Sequence, residues 1–222
     1  VILARAGELD AQLIVEGDGW TFEAGGEGLT VTTGQRTLQL PSPGLLGAHQ
    51  AANAAQAVAI LDQLDAPLID EAAVAEGMKL VHWPARLQRL DGGKLASGLP
   101  GGWELWLDGG HNGAAGQVLA AQAAAWNDKP LYLIAGILNS KDPSGFLSPL
   151  AAHATKLFAV AIPGEEASLG ADDVAGLASE LGLEGEPVAS VEVAIAALSD
   201  AAPGRILICG SLYLAGYVLG QN

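Results

Sequence analysis

The stretch Leu107-Asp108-Gly109-Gly110-His111-Asn112 decides how this chain is read. An apolar run from Trp103 to Leu107, broken by Glu104, delivers a carboxylate, two glycines, a histidine and an amide. A helix-forming stretch, Ala114 to Trp126, follows at once. Strand, tight turn and helix start, in that order, is where α/β proteins place ligand chemistry. The glycines let backbone N–H groups approach a ligand, and a helix N-terminus favours an anion.

The same texture continues downstream. Leu131 to Ile137, Leu157 to Ile162 and Ile206 to Cys209 are apolar runs of strand length, and Pro143 to His153, Ala171 to Leu181 and Val191 to Leu198 have helical patterning between them. Continuous apolar strands alternating with helices predict a mostly parallel sheet covered on both faces, a Rossmann-like α/β domain. The glycine-rich segment Gly92 to Gly102 reads as a hairpin turn or loop between two strands.

Upstream the pattern differs. Residues 1 to about 40 read as short strands, Leu13 to Val15, Trp20 to Phe22, Leu29 to Thr32 and Thr37 to Leu40, separated by turns such as Gly17-Asp18-Gly19 and Gly25-Gly26-Glu27-Gly28. After the breaker Pro41-Ser42-Pro43-Gly44, a helix is expected from about Ala48 to Leu64, ended by Pro67, and a second from the N-cap Asp70 to about Leu80. This β-then-α segment reads as part of a domain. The expected boundary separates residues 1–81 from 82–222.

Composition excludes several classes. The 222 residues are 50% hydrophobic, enough for one or two packed domains. The net charge of −15, from 10 Lys+Arg against 25 Asp+Glu, argues against nucleic-acid or anionic-membrane partners, since both require a basic surface. The single cysteine, Cys209, excludes an internal disulfide, fits a reducing compartment and sits in an apolar run as a small core residue. Alanine-rich stretches are interrupted before they reach membrane-spanning length. The chain opens on Val1 in mid-pattern, so a fragment is expected.

The candidate functional residues each have a plainer reading. Asp108, at a strand's C-terminal end, can accept hydrogen bonds from ribose hydroxyls or cap the next helix. His111 can contact a phosphate or a reacting acyl group, or be an idle turn residue. Arg86, two residues after Pro84, can grip a phosphate bidentately or lie at the surface. Lys141 and Asp142, in the loop after Leu131 to Ile137, can face the same sheet edge or form a solvated ion pair. Ser211 can receive a carboxylate at a helix N-terminus or merely cap that helix. Asn53 sits mid-helix, where asparagine is disfavoured, which hints at a use for its amide.

Some patterns are missing. No Gly-x-x-x-x-Gly-Lys-Ser/Thr loop, Gly-x-Gly-x-x-Gly turn or Gly-x-Ser-x-Gly elbow occurs. His49, His82, His111 and His153 are scattered singly and lack metal-ligand spacing. A dinucleotide-dependent oxidoreductase is thereby disfavoured.

Five segments in order resemble the folylpolyglutamate synthase/dihydrofolate synthase family of the Mur ligase group. They are Gly47-Ala48-His49-Gln50-Ala51-Ala52-Asn53, Trp83-Pro84-Ala85-Arg86-Leu87, Asp108 to Gly113, Lys141-Asp142 and Cys209-Gly210-Ser211-Leu212-Tyr213-Leu214. Gly113 stands where the family usually has proline. The resemblance covers the C-terminal half of such an enzyme. It implies that residues 1–81 end a central ATP-binding domain and that 82–222 form a Rossmann-like glutamate-ligase domain.

The implied reaction is ADP-forming. ATP phosphorylates the carboxylate of dihydropteroate or a folate, and the amine of L-glutamate displaces the phosphate. The implied roles place Asn53, Arg86 and Asp108 on ATP, His111 and Arg86 at the reacting centre, and Lys141, Asp142 and Ser211 on glutamate. ATP and Mg2+ are the expected cofactors. The metal ligands and the P-loop are expected in an N-terminal half that these residues lack, so the chain alone is expected to be inactive. A monomeric, cytoplasmic protein is implied, with small-molecule substrates and the P-loop domain as partners. The alternative is a free-standing Rossmann-like module that binds a nucleotide or folate without catalysis.

Overall fold

A computed structural model describes residues 1–26, 28–64, 69–199 and 201–222, and within them the chain forms two units, Val1–His82 and Trp83–Asn222. The expected turn residue Glu27 and the expected helix breaker Pro67 lie outside the described residues.

The first unit begins with helix α1 (Ile2–Glu8), followed by β1 (Trp20–Gly25), β2 (Gly28–Thr33) and β3 (Thr37–Pro41), then α2 (His49–Leu61) and α3 (Glu71–Leu80). The strands form an antiparallel sheet in the order β1-β2-β3. Alternation sorts their side chains: Leu29, Val31, Leu38 and Leu40 are buried against Ala55, Val58 and Ala59 of α2 and Val74 and Met78 of α3. Asp70 starts α3 as expected, its carboxylate accepting the Ala73 N–H at 2.7 Å.

Two expectations fail in this unit. Ile2–Glu8 is a helix where short strands were expected, because alanine, arginine and glutamate favour that state. Leu13 to Val15 form no strand, and both Leu13 and Val15 are exposed; a strand needs a ladder partner, and only the bridge between Glu16 and Trp20 forms nearby. Helix α2 also stops at Leu61, short of Leu64.

The second unit runs β4 (Gln88–Arg89), α4 (Gly93–Ser97), β5 (Glu104–Leu107), α5 (Gly113–Ala125), β6 (Leu131–Ala135), α6 (Pro143–Ala151), β7 (Lys156–Ala159), α7 (Ala171–Glu180), β8 (Gly185–Pro187), α8 (Val191–Ala196), β9 (Arg205–Cys209) and α9 (Leu212–Gln221). Its six-stranded sheet has the order β4-β5-β9-β6-β7-β8. Every pairing is parallel except the hairpin pair β4-β5. The Gly92 to Gly102 connection carries the short helix α4. The edge strand β8, not foreseen, is only three residues long and contains Pro187, which a central strand would not tolerate.

Strand alternation divides the core in two. Leu131, Leu133, Ala135, Leu207 and Cys209 pack against α5, α6 and α7 on one face. Tyr132, Ile134, Ile206 and Ile208 pack against α4, α8 and α9 on the other. Both faces are therefore covered, and this is why the strands read as unbroken apolar runs.

One close approach fixes the helix layer. A Cβ built on Gly116 of α5 would collide with the Phe146 carbonyl of α6, so only glycine lets these two helices meet.

Candidate active site

The neighbouring strands β5 and β9 lead into helices on opposite faces of the sheet. That divergence is a topological switch point, and it opens a crevice beyond their C-terminal ends, where open α/β sheets bind ligands. Asp108 to Asn112 follow β5, and Gly210-Ser211 follow β9. The two turns are joined: Asp108 N–H donates to Ile208 O at 2.9 Å, and Gly210 N–H donates to Gly110 O at 2.9 Å. Gly210 has φ 102°, and a Cβ there would press on the Gly136 carbonyl at 2.7 Å. Glycine is thus needed where the chain turns toward α9.

Asp108 is 8% exposed, and both carboxylate oxygens accept backbone hydrogen bonds. Oδ1 accepts from Gly110 N–H and Oδ2 from Leu87 N–H, each at 2.7 Å. The expected capping alternative for Asp108 is not realised. Asn112 caps α5 instead, its Oδ1 accepting the Ala115 N–H at 2.9 Å. Sequence reading passed over Asn112, although an Asn just ahead of an alanine-rich helix is itself a cap signal.

His111 is half-buried, and its Nδ1 lies 3.0 Å from Gly109 O. A carbonyl only accepts, so this bond requires a proton on Nδ1. Arg86 is exposed and lies between Ala85 and Leu87, both buried. Because Leu87 bonds Asp108, and Gly109 N–H donates to Ala85 O at 2.9 Å, Arg86 is held at the same sheet edge.

Lys141 and Asp142 are exposed and follow β6 at this edge. They are not paired with each other: the Asp142 carboxylate caps α6, accepting Gly145 N–H at 2.9 Å. Ser211 is 2% exposed, and its Oγ accepts Tyr213 N–H at 3.0 Å, so it caps α9. Cys209 is fully inside the core, and burial together with the Asp108 charge pushes its thiol far above the ordinary range. It is a packing residue with no nucleophilic character.

Asn53 belongs to the first unit. It is exposed on α2, and its Nδ2 donates to Gln50 Oε1 at 3.0 Å. The other six candidates belong to the second unit and share the C-terminal edge of its parallel strands.

Among the described residues, no group of three or more His, Cys, Asp or Glu is arranged to hold a metal ion. The edge residues therefore offer no full set of protein ligands for Mg2+, an ion that usually takes one or two carboxylates together with substrate phosphates. They suit an anion better: α5, α6 and α9 start at one edge, beside Arg86 and Lys141. Among the described residues, no helix is long and apolar enough to cross a membrane.

No family model matches the chain. It is 31% identical over 194 residues to a probable bifunctional folylpolyglutamate synthase/dihydropteroate synthase of Haloferax volcanii, covering 84% of this chain and 21% of that protein. It is 31% identical over 181 residues to a folylpolyglutamate synthase of Lacticaseibacillus casei, covering 78% of this chain and 38% of that protein. A solved bifunctional folylpolyglutamate synthase/dihydrofolate synthase with Mn, AMPPNP and L-glutamate bound superposes with a TM-score of 0.79 at 27% identity, over 99% of this chain and 50% of that one. The chain thus spans less than two fifths of these curated relatives and half of the solved enzyme. Motifs, fold and these matches agree, and the chain is similar to folylpolyglutamate synthases and folylpolyglutamate synthase/dihydrofolate synthases over that part of their length.

Proposed function

We propose that this chain forms part of an ADP-forming ligase that joins L-glutamate to dihydropteroate or a folate. The observation that carries the reading is the gathering of Arg86, Asp108, His111, Lys141, Asp142 and Ser211 at one sheet edge, in a chain similar to a ligase solved with AMPPNP and L-glutamate. Unit Val1–His82 would end the central ATP-binding domain, and unit Trp83–Asn222 would be the glutamate-ligase domain.

In this reading Asn53 contacts the adenine, Asp108 the ribose, and Arg86 the phosphates. The γ-phosphoryl passes to the substrate carboxylate. The glutamate amine then adds to the acyl carbon, a tetrahedral intermediate forms, and phosphate leaves as the amide closes. Arg86 and the helix N-termini stabilise the anionic oxygens. His111 would stand beside the reacting carboxylate; with Nδ1–H held by Gly109 O, its Nε2 donates to that charge only in the doubly protonated ring. Lys141 and Asp142 match the carboxylate and the amine of glutamate by charge. The buried Ser211 contributes by fixing the α9 N-terminus, whose amides would receive a carboxylate. Mg2+ and a phosphate-cradling loop would be held by residues outside these 222. We place the working protein in the cytoplasm as a monomer; its single free cysteine fits a reducing compartment.

The binding-module alternative is not favoured, because the matched relatives are named as synthases. The 222-residue chain alone is expected to release no ADP. Joined to a P-loop-bearing half, it should release ADP in a folate- and glutamate-dependent manner, and Arg86→Ala should lower kcat/KM by about tenfold or more. Tight AMPPNP binding by the joined protein with no glutamate-dependent turnover would favour the binding module instead.

A further inference from the structure

Two of three consecutive residues adopt a backbone conformation that side chains disfavour. Ala85 has φ 55° and Leu87 has φ 44°, and neither is glycine. An L residue in this region is strained, and it stays there only when its surroundings impose it.

The surroundings can be named. Leu87 N–H donates to Asp108 Oδ2 at 2.7 Å, Gly109 N–H to Ala85 O at 2.9 Å, and Ala85 N–H to Gln88 Oε1 at 2.9 Å. Ala85 and Leu87 are each 4% exposed, and they belong to the two different cores of the sheet, Leu87 with α5 to α7 and Ala85 with α8 and α9. The segment is pinned on both faces, and exposed Arg86 is the residue between the pins. The other oxygen of Asp108 accepts Gly110 N–H at 2.7 Å and so holds the turn that carries His111.

We propose that Asp108 is a positioning residue: its carboxylate keeps Ala85 and Leu87 in their left-handed conformation and so fixes Arg86 and His111 in one frame. The two candidate groups approach the crevice from separate segments, the strap before β4 and the turn after β5. One buried carboxylate is the shared anchor. What the frame is for rests on the phosphate-binding reading above, whereas the holding itself does not.

The test uses the isotopically labelled 222-residue chain. It reads amide hydrogen exchange at Leu87 and Gly110 and the HN–Hα couplings of Ala85 and Leu87. An asparagine offers one acceptor oxygen and turns an NH2 toward the other donor. Asp108→Asn should therefore speed exchange at Leu87 or Gly110 by about tenfold or more, the worth of a hydrogen bond to a charged group. In Asp108→Ala, which removes both acceptors, the couplings of Ala85 and Leu87 should leave their left-handed values, while amides of β6 and β9 keep their protection. Adding Ala85→Gly, which accepts positive φ without strain, should recover about threefold of the lost protection at Leu87. Ala85→Gly alone, with Asp108 intact, should slow Leu87 exchange by a similar factor, and this variant keeps the proposal testable if Asp108→Asn fails to fold.

Unchanged couplings in Asp108→Ala would overturn the proposal. So would protection lost evenly across the sheet, or no response of Leu87 to Ala85→Gly. A separate titration with inorganic tripolyphosphate addresses the use of the frame. Shifts at Arg86 Nε–H and the His111 ring that weaken about tenfold in Asp108→Asn, and recover with Ala85→Gly, would support the proposal. An absence of shifts in the unaltered chain would remove the phosphate reading and leave the exchange result to decide the positioning role.

Discussion

Glu104 and Arg205 are register partners at the first residues of the parallel strands β5 and β9, and their side chains meet at 2.7 Å between Oε2 and Nε. They sit at the opposite end of the sheet from Asp108. Lys129 reaches Glu104 at 2.7 Å, Asp128 reaches Arg205 at 2.6 Å, and the guanidinium lies 5.2 Å from the Trp126 ring. This network closes the edge that the candidate site does not use.

An acid limb of unfolding should follow from it. Burial alone would raise the Glu104 carboxyl, but hydrogen bonds from Lys129, Arg205 and Trp106, with the Arg205 charge, outweigh burial and bring its pKa to about 2. A carboxyl depressed in the folded state stabilises fully above its unfolded value of about 4.5, and that stability is lost as pH falls toward 2. The contribution at neutral pH is on the order of 3 kcal/mol. Urea titrations of the second unit at pH 7 and pH 3 should differ by about 2 kcal/mol of this, the rest being lost only below pH 3, and Glu104→Gln should flatten the difference. An equally steep acid limb in the glutamine variant would assign the acid sensitivity elsewhere.

In the first unit, Asp62 is 1% exposed and binds Thr33 Oγ1 at 2.8 Å and Arg36 at 2.6 and 3.2 Å. It ties the β2-β3 turn to the end of α2. Asp62→Ala would remove the carboxylate that Arg36 and Thr33 share, leaving Arg36 its bond to Ile69 O and Thr33 its bond to Arg36 O, at a cost of about 1–3 kcal/mol. Trp20 is the only tryptophan of this unit and four lie in the other, so the fluorescence difference between the chain and a Trp20→Phe background in a denaturant titration isolates the effect. A midpoint unchanged from the parent would show that water replaces the carboxylate at no cost.

The layered fold was legible because burial on both faces leaves a plain signature. Leu131 to Ala135 and Arg205 to Cys209 are buried at every position, and no half-exposed strand would produce those runs. The N-terminal segment was less legible. Leu13 to Val15 have strand-like composition but no partner, and pairing is a tertiary property. At the site, Asp108, His111 and Ser211 could be placed because each follows a strand or opens a helix. Their hydrogen-bond partners could not, since Leu87 meets Asp108 across 21 residues of chain. The left-handed φ at Ala85 and Leu87 had no signal at all, because neither residue type favours it.

Gly116→Ala should test the helix layer. The added methyl would meet the Phe146 carbonyl, a backbone atom that moves only with α6. Overpacking of this kind costs about 1–3 kcal/mol. A thermal melt should show a clear drop in Tm, whereas Gly176→Ala, where a Cβ meets nothing within 4 Å, should hold or raise it. Equal melting of the two variants would mean that α5 and α6 can separate freely.

Ser211 separates a structural from a binding role. Its hydroxyl oxygen caps α9, and at 2% exposure it has little surface to offer a ligand. Ser211→Ala should therefore lower stability by about 0.5–2 kcal/mol, the worth of an N-cap. In a ligase that contains this chain, the same variant should raise the KM for glutamate through the loosened α9 N-terminus, with the KM for ATP nearly unchanged. Ser211→Asp restores the cap but sets a negative charge where a carboxylate would dock, so it should recover the melting temperature while raising the glutamate KM further. Recovery of both quantities together would mean that no carboxylate is received at this helix end, and loss of stability in Ser211→Ala with both KM values intact would confine Ser211 to capping.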